Sequence, residues 1–552
     1  MIRIIAILAT LTFAMVLMTG FDWSKATKAA PEAIEAELAK LAPVEIRADA
    51  SYLSEADRSA LDKLVEASKI MDELFLAQSY SKNFEIQNSF RRSGDPDNDP
   101  YQRLFRIMFG PFNHLEEYHP FIGDEAKPLG ANYYPEDMTK EEFSQWIADH
   151  PEDEASFKDV FTIIRRREGA LVAIPYSEAY KELLEKAAVL IEEAAVLTGD
   201  VSLMRYLSSR ATSFRTNDYF QSDMDWMDLA GDIEVVIGPY EVYEDRLFGY
   251  KGAFESFVTL VDRAESQKLD VVAKYIDEME GHLPIPDEHK NFERGSSSPI
   301  KVVNVIYTAG DTKAGIQTSA FNLPNDERVR EAKGSKKVML KNVMEGKFEK
   351  CWKPITKTVM APKALEDVAF DAYFNETLMH EMSHGIGPGT IELADGTMST
   401  VSAELKALYS TIEECKADVL SIYNTDFLLE KGVLDEGLRR TTYNTYLGGI
   451  FRSVRFGIDE AHGGGMIIQF NWLMEKGAFA QDKEGRFYSV PDKVGPAIES
   501  LARELLMIEA VGDYEGAKKL IDQYRVMTPV MATALARLEG VPIDICPIYE
   551  AD

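Results

Sequence analysis

The stretch LMHEMSHGIG, residues 378–387, constrains this chain more than any other, because it sets His380 and His384 four residues apart with Glu381 directly after the first. Upstream, APKALEDVAFDAYFNETLMHEMSH carries apolar residues at helical spacing, and GIGPG follows as a breaker. The motif is therefore expected on a helix that stops just past His384. Residues four apart share a helix face, so both imidazoles can reach one zinc while Glu381, one step round, reaches a water beside it. The chain holds only eight histidines. A random H-E-x-x-H is expected on the order of 0.01 times in such a sequence, so chance is a poor explanation.

A catalytic zinc of this kind needs a third protein ligand. The next helix is expected over about Ser402 to Lys431 and contains TIEECKADVL. Its apolar positions Leu408, Ile412, Cys415, Val419 and Ile422 face a core, which leaves Glu414 and Asp418 together at i, i+4. Glu414 is the expected ligand. Asp418 or Glu413 is the expected acceptor for the outer N–H of a zinc histidine, the partner that fixes its tautomer.

The rest of the chain sets the frame. Its 552 residues, 45% hydrophobic and 10% aromatic, suffice for a large core divided between lobes. A net charge of −32 excludes nucleic acid and an anionic membrane surface as partners, since both demand an excess of Lys and Arg. Residues 1–24 hold an uncharged run from Ile4 to Met18 and read as a signal peptide or N-terminal anchor, which implies export to the periplasm or cell envelope. Cys351, Cys415 and Cys546 are too few and odd in number for a disulfide framework. Helical spacing dominates from Ala30 to Gln78, Thr139 and Glu142 form a capping-box pattern, and DIEVVIGPYEVY (232–243) alternates as a strand does. HLPIPDEHKNFERGSSSP (282–299) reads as a polar connector, KVVNVIYTAG after it as a second strand, and the text from Ala361 onward as mostly helical.

HEMSHGIGPG followed by EECKAD resembles the paired zinc motifs of the dipeptidyl peptidase III family. IGPYEVYEDRLFGYKGAFESFV (237–258), FNLPNDER (321–328) and AHGGG are similar to further family segments, in the same order. The resemblance implies one zinc per chain on His380, His384 and Glu414, with Glu381 as general base and Tyr243 and His462 as transition-state donors. It also implies that Glu241, Asn322 and Asn325 hold the amino terminus and backbone of an oligopeptide; strand alternation would put Glu241 and Tyr243 on one face. Two departures stand out. The family motif usually has one more residue between the glutamate and the second histidine. The second motif here ends in Asp418 where the family often has Glu, so a contact to histidine through water is expected.

The implied reaction is peptide hydrolysis that releases dipeptides from a free N-terminus. Zinc would bring the pKa of a water down to about 7, and Glu381 would take its proton and pass it to the leaving amine. The implied fold is α+β, two lobes around a wide cleft. One lobe (25–262 and 306–352) carries helices and a small β-barrel, and the other (263–305 and 353–552) is helical and holds the zinc. Two alternatives stand beside this reading: a zinc hydrolase of the same scaffold with another substrate, and a non-catalytic envelope protein that binds peptides. The oligomeric state is left open.

Overall fold

The computed structural model describes residues 22–292 and 299–552. Most of the expected leader lies outside the described residues. Its boundary is corrected in one respect: Trp23, counted with the leader, is buried in an apolar cluster with Ile34, Phe90 and Ile122, and so belongs to the folded body. No helix among the described residues is long and apolar enough to cross a membrane.

Strand β1 (Leu41–Ile46) is followed by the long helix α1 (Glu55–Ser79), whose N-cap Ser54 accepts from the Asp57 N–H. The Thr139 cap also forms, its hydroxyl accepting from the Glu142 N–H at 3.1 Å. Helix α2 (Lys181–Leu197) packs on α1 on one side and on α3 (Val201–Thr216) on another. Their buried alanines, Ala187, Ala188, Ala194 and Ala211, let the axes approach closely.

A five-stranded sheet comes next: β2 (Ile233–Pro239), β3 (Phe254–Val261), β4 (Ile300–Gly310), β5 (Ala320–Leu323) and β6 (Lys336–Leu340). Their spatial order is β2-β3-β4-β6-β5, with β4 and β6 parallel and the other pairs antiparallel. Every residue of β2 is buried. The expected alternation is therefore absent, because both faces of the strand are covered. The strand also stops at Pro239, so Glu241 and Tyr243 lie in the loop after it and not on one strand face, a correction to the sequence reading.

The helical part follows: α4 (Phe370–Ser383), α5 (Tyr409–Glu430), α6 (Gly437–Val454), α7 (Ala461–Glu475) and α8 (Pro491–Ala510). The expected 402–431 helix is three pieces, a short helix Val401–Leu405, a 3-10 turn Lys406–Leu408 and then α5.

Two large apolar clusters account for most of the interior, one among the C-terminal helices and one around α1–α3 and the sheet. The sheet lies between them. Val302 and Met339 enter the helical cluster, while their strand neighbours Val303, Val338 and Leu340 enter the other, as the two-residue period of a strand dictates. The last strand, β7 (Asp544–Tyr549), pairs in parallel with β1, and Ile545 and Tyr549 join the sheet-side cluster. The end of the chain therefore packs with the first lobe, not with the rest of 353–552.

Candidate metal centre

Helices α4 and α5 pack side by side and converge on one group of atoms. His380 Nε2 and His384 Nε2 lie 3.1 Å apart. Glu414 Oε2 is 3.3 Å from the first and 3.8 Å from the second. His384 forms the C-cap of α4, and the turn beyond it passes through Gly387 at φ +90°, where a Cβ would strike Leu506 at 2.7 Å. The breaker seen in the sequence thus ends the helix directly after the second histidine.

Hydrogen bonds decide the tautomers. His380 Nδ1 is 2.7 Å from Asp418 Oδ1, and His384 Nδ1 is 2.8 Å from Glu413 Oε1. An ionised carboxylate only accepts, so each Nδ1 carries the proton and each Nε2 presents a lone pair. Glu414 Oε2 is buried and, among the described residues, takes no hydrogen bond of good geometry. Three electron-rich atoms therefore face one another, an arrangement that repels unless a cation joins it. Tetrahedral zinc with bonds of about 2.0–2.2 Å holds its ligand atoms roughly 3.3–3.5 Å apart, close to the separations here. These residues fit the metal. Burial opposes charge on His380, yet Asp418 and then Glu414 raise its pKa well above an ordinary histidine, so in the metal-free protein a proton competes with the metal for Nε2.

The two orienting carboxylates are themselves held. Asp418 Oδ2 accepts from Gln469 Nε2 of α7 at 3.0 Å, and Gln469 Oε1 accepts from the Tyr446 hydroxyl of α6. The Asp418 side chain reaches His380 directly, which corrects the expectation of a water between them. Glu413 is bound by the buried Lys416 ammonium at 2.9 Å, with Glu509 Oε2 3.8 Å from the same ammonium. Burial pushes Glu509 up to about 8. Burial acts the same way on Glu413, but Lys416 and His384 override it and hold that carboxyl at about 2.

Glu381 lies beside this group with Oε2 and its own carbonyl oxygen bound by Lys337 Nζ of β6, at 2.9 and 2.6 Å. Burial would raise its pKa; Lys337 first, then His380, lowers it below the ordinary value. His462 opens α7, and its Nδ1 is 3.2 Å from Glu414 Oε2 with two-thirds of the side chain exposed. The glycines after it allow this approach: a Cβ on Gly463 would sit 1.9 Å from the Gly457 carbonyl oxygen, and one on Gly465 would sit 3.1 Å from Cys415 N on α5.

The remaining expected residues form a second group. Asn325 Nδ2 donates to the Tyr240 carbonyl at 3.2 Å and reaches Glu241 Oε1 at 3.5 Å. Burial raises the Glu241 pKa, and the Glu241 charge, followed by burial, raises that of Tyr243. Tyr243 is 76% exposed, and no hydrogen bond among the described residues joins it to the histidines. Asn322 is exposed on β5, directly opposite Lys337 of β6. Sequence reasoning missed Lys337, Lys416, Gln469 and Glu509. Lys416 was visible inside EECKAD, but nothing local marks the other three.

Comparison with known proteins agrees with this geometry. Residues 136–399 match the model of peptidase family M49. The structure of DPP III from Caldithrix abyssi superposes with a TM-score of 0.92 at 53% identity, over 94% of this chain and 99% of that one. That of dipeptidyl-peptidase III from Corallococcus sp. strain EGB gives 0.79 at 41% identity, over 95% and 98%. Nudix hydrolase 3 of Arabidopsis thaliana is 36% identical over 95% of this chain and 74% of its own length, and the rest of that protein lies outside the match. The architecture is α+β, two lobes around a cleft, as in these DPP III structures. Identity of 53% across nearly the whole of both chains shows that this protein belongs to peptidase family M49, the family of dipeptidyl peptidase III.

Proposed function

We propose that this protein is a zinc-dependent peptidase that releases dipeptides from the free amino terminus of oligopeptides. The observation that carries the metal reading is the convergence of His380 Nε2, His384 Nε2 and the buried Glu414 Oε2, with both Nδ1 atoms held from behind. Zinc bound there supplies a Lewis acid for the scissile carbonyl.

The chain's own residues do the rest. Glu413 and Asp418 fix the imidazoles so that their Nε2 lone pairs point inward. Glu381 takes a proton from the attacking water on Oε1, since Oε2 is occupied by Lys337, and delivers it to the leaving amine. His462 and Tyr243 donate to the oxygen on which negative charge develops, each worth about 3 kcal/mol if comparable to other such donors. Glu241 receives the substrate ammonium. Among the described residues no cation stands beside its carboxylate, and its pKa is elevated, so an incoming ammonium supplies a counter-charge. Asn325 braces Glu241, and Asn322, exposed on the edge strand β5, pairs with the peptide backbone. The apolar run Ile4–Met18 supports export to the cell envelope.

The test is dipeptide release from a peptide with a free amino terminus, run beside its N-acetylated copy and beside Glu381→Ala. Activity lost in both controls supports the proposal. Cleavage of the acetylated peptide makes the protein an endopeptidase, and cleavage of neither by the zinc-loaded wild type points to another substrate class.

A further inference from the structure

The Lys337 ammonium touches the glutamate that the family motif makes the base, yet it lies on a strand of the sheet and in none of the motifs. Two acceptors explain why it sits there. The Glu381 carbonyl belongs to the last turn of α4, and its usual partner, Gly385 N–H, bonds instead to the Met382 carbonyl. That carbonyl oxygen is therefore one of the acceptors a helix end leaves open, at the end where the helix dipole favours a cation. Lys337 Nζ donates to it at 2.6 Å and to Oε2 of the same residue at 2.9 Å. One ammonium thus ties the Glu381 side chain to its own backbone. The pair is largely shielded, with side-chain exposures of 15% for Lys337 and 24% for Glu381, where a charge-assisted bond is stronger than at an open surface.

The clamp leaves the carboxylate asymmetric. Oε2 is bound, and among the described residues Oε1 takes no hydrogen bond, so Oε1 is the oxygen free to receive a proton. The register adds a second consequence. Lys337 is directly opposite Asn322 in the β5–β6 pair, and directly opposite residues of an antiparallel pair project from the same face. The residue expected to hold the peptide backbone and the residue that holds the base are thus cross-strand neighbours.

We propose that Lys337 is a positioning residue of the reaction: it locks the Glu381 carboxylate with Oε1 presented to the water and couples that orientation to the strand on which the peptide is laid. This rests on the peptidase reading above. It acts through Glu381 and touches neither the metal group nor the bond that breaks.

The experiment compares Lys337→Met, which keeps the length and removes the charge, with Lys337→Arg, which keeps a donor able to reach both oxygens. Steady-state kinetics on the free-amino-terminus peptide are read together with zinc content. Melting temperatures of the chelator-treated protein are read in the wild-type and Glu381→Ala backgrounds. Lys337→Met should lower kcat at least tenfold, since loosening a reacting group by about an ångström costs on the order of 10²-fold. KM should stay within threefold, zinc content should be unchanged, and Lys337→Arg should recover at least a third of the rate. Lys337→Met should also lower the melting temperature by about 1–2 °C when Glu381 is present and by less than half as much when residue 381 is alanine. The inference is overturned if kcat of Lys337→Met stays within twofold of wild type, or if its melting shift is the same in both backgrounds. Should the wild type cleave no peptide, the peptidase reading fails alone, and the melting cycle still decides whether Lys337 and Glu381 are coupled.

Discussion

Lys416 is a buried ammonium whose charge is shared unequally between two carboxylates, and that inequality sets what happens when one is removed. Glu413 contacts it at 2.9 Å and is ionised, whereas Glu509 Oε2 stands 3.8 Å away with its pKa pushed up to about 8 by burial. Glu413→Gln leaves Lys416 without its near partner. An uncompensated buried charge costs about 3–5 kcal/mol, but here Glu509 can ionise in its place. The Glu413 charge is one of the causes that hold the Glu509 pKa up, and the variant removes it, so that ionisation costs little and the single variant should lose well under the full penalty, on the order of 1–2 kcal/mol. Glu509→Gln alone replaces a group that is mostly protonated at pH 7 and should cost under about 1 kcal/mol. The double variant leaves no carboxylate for Lys416, and the full loss of about 3–5 kcal/mol should appear, exceeding the sum of the singles. Urea denaturation of chelator-treated protein at pH 7, as a double-variant cycle, measures this. Additive losses would refute the reasoning, because they would mean that Glu509 does not take over the charge.

Other consequences follow from the same structure. Asp418→Asn removes the charged acceptor for His380 Nδ1 and leaves neutral Gln469 behind it, so zinc affinity should fall about 10–100-fold, read by competition with a zinc-binding dye. Glu241→Gln should raise KM for free-amino-terminus peptides at least tenfold and leave hydrolysis of an acetylated peptide, if any, unaltered, because a charged hydrogen bond is worth about 1.5–3 kcal/mol. Lys251 is buried against the Phe157 and Asp159 carbonyls and Thr162 Oγ1, and burial lowers its pKa to about 8. The unfolded chain, near 10.4, then binds more protons than the folded one between about pH 8 and 10. Stability should therefore rise with pH from 8 toward 9.5, and Lys251→Met should flatten that rise in melts run across the window.

What could be read from the sequence follows a physical division. His380, Glu381 and His384 were legible because a helix is a fixed ruler: spacing of one and four residues sets their geometry before any packing is known. Glu414 followed from the apolar positions of the next helix, which left Glu414 and Asp418 together at i, i+4, with Glu413 as the alternative acceptor. The direct Asp418–His380 bond could not be read, because it depends on how closely α4 and α5 approach, and so on side chains from both. Gln469 and Glu509 lie 51 and 91 residues beyond Asp418, on other helices, and look unremarkable in isolation. Lys337 was hidden for a different reason: its role arises from a strand meeting a helix end, 44 residues apart in the chain. The loop placement of Glu241 and Tyr243 was missed because alternation continues in the letters past Pro239, where the strand itself ends. The pairing of β1 with β7 joins segments some 500 residues apart, which no local pattern reports.

The central claim is that three lone pairs, from His380, His384 and Glu414, converge to hold one zinc ion. Metal analysis of the purified, dialysed protein beside Glu414→Gln tests it most directly. The account predicts one zinc per wild-type chain, with the variant, at equal fold by circular dichroism, retaining less than a tenth of it after the same dialysis. A wild type that binds no zinc when supplied with it, or a variant that keeps its full complement, would contradict the account.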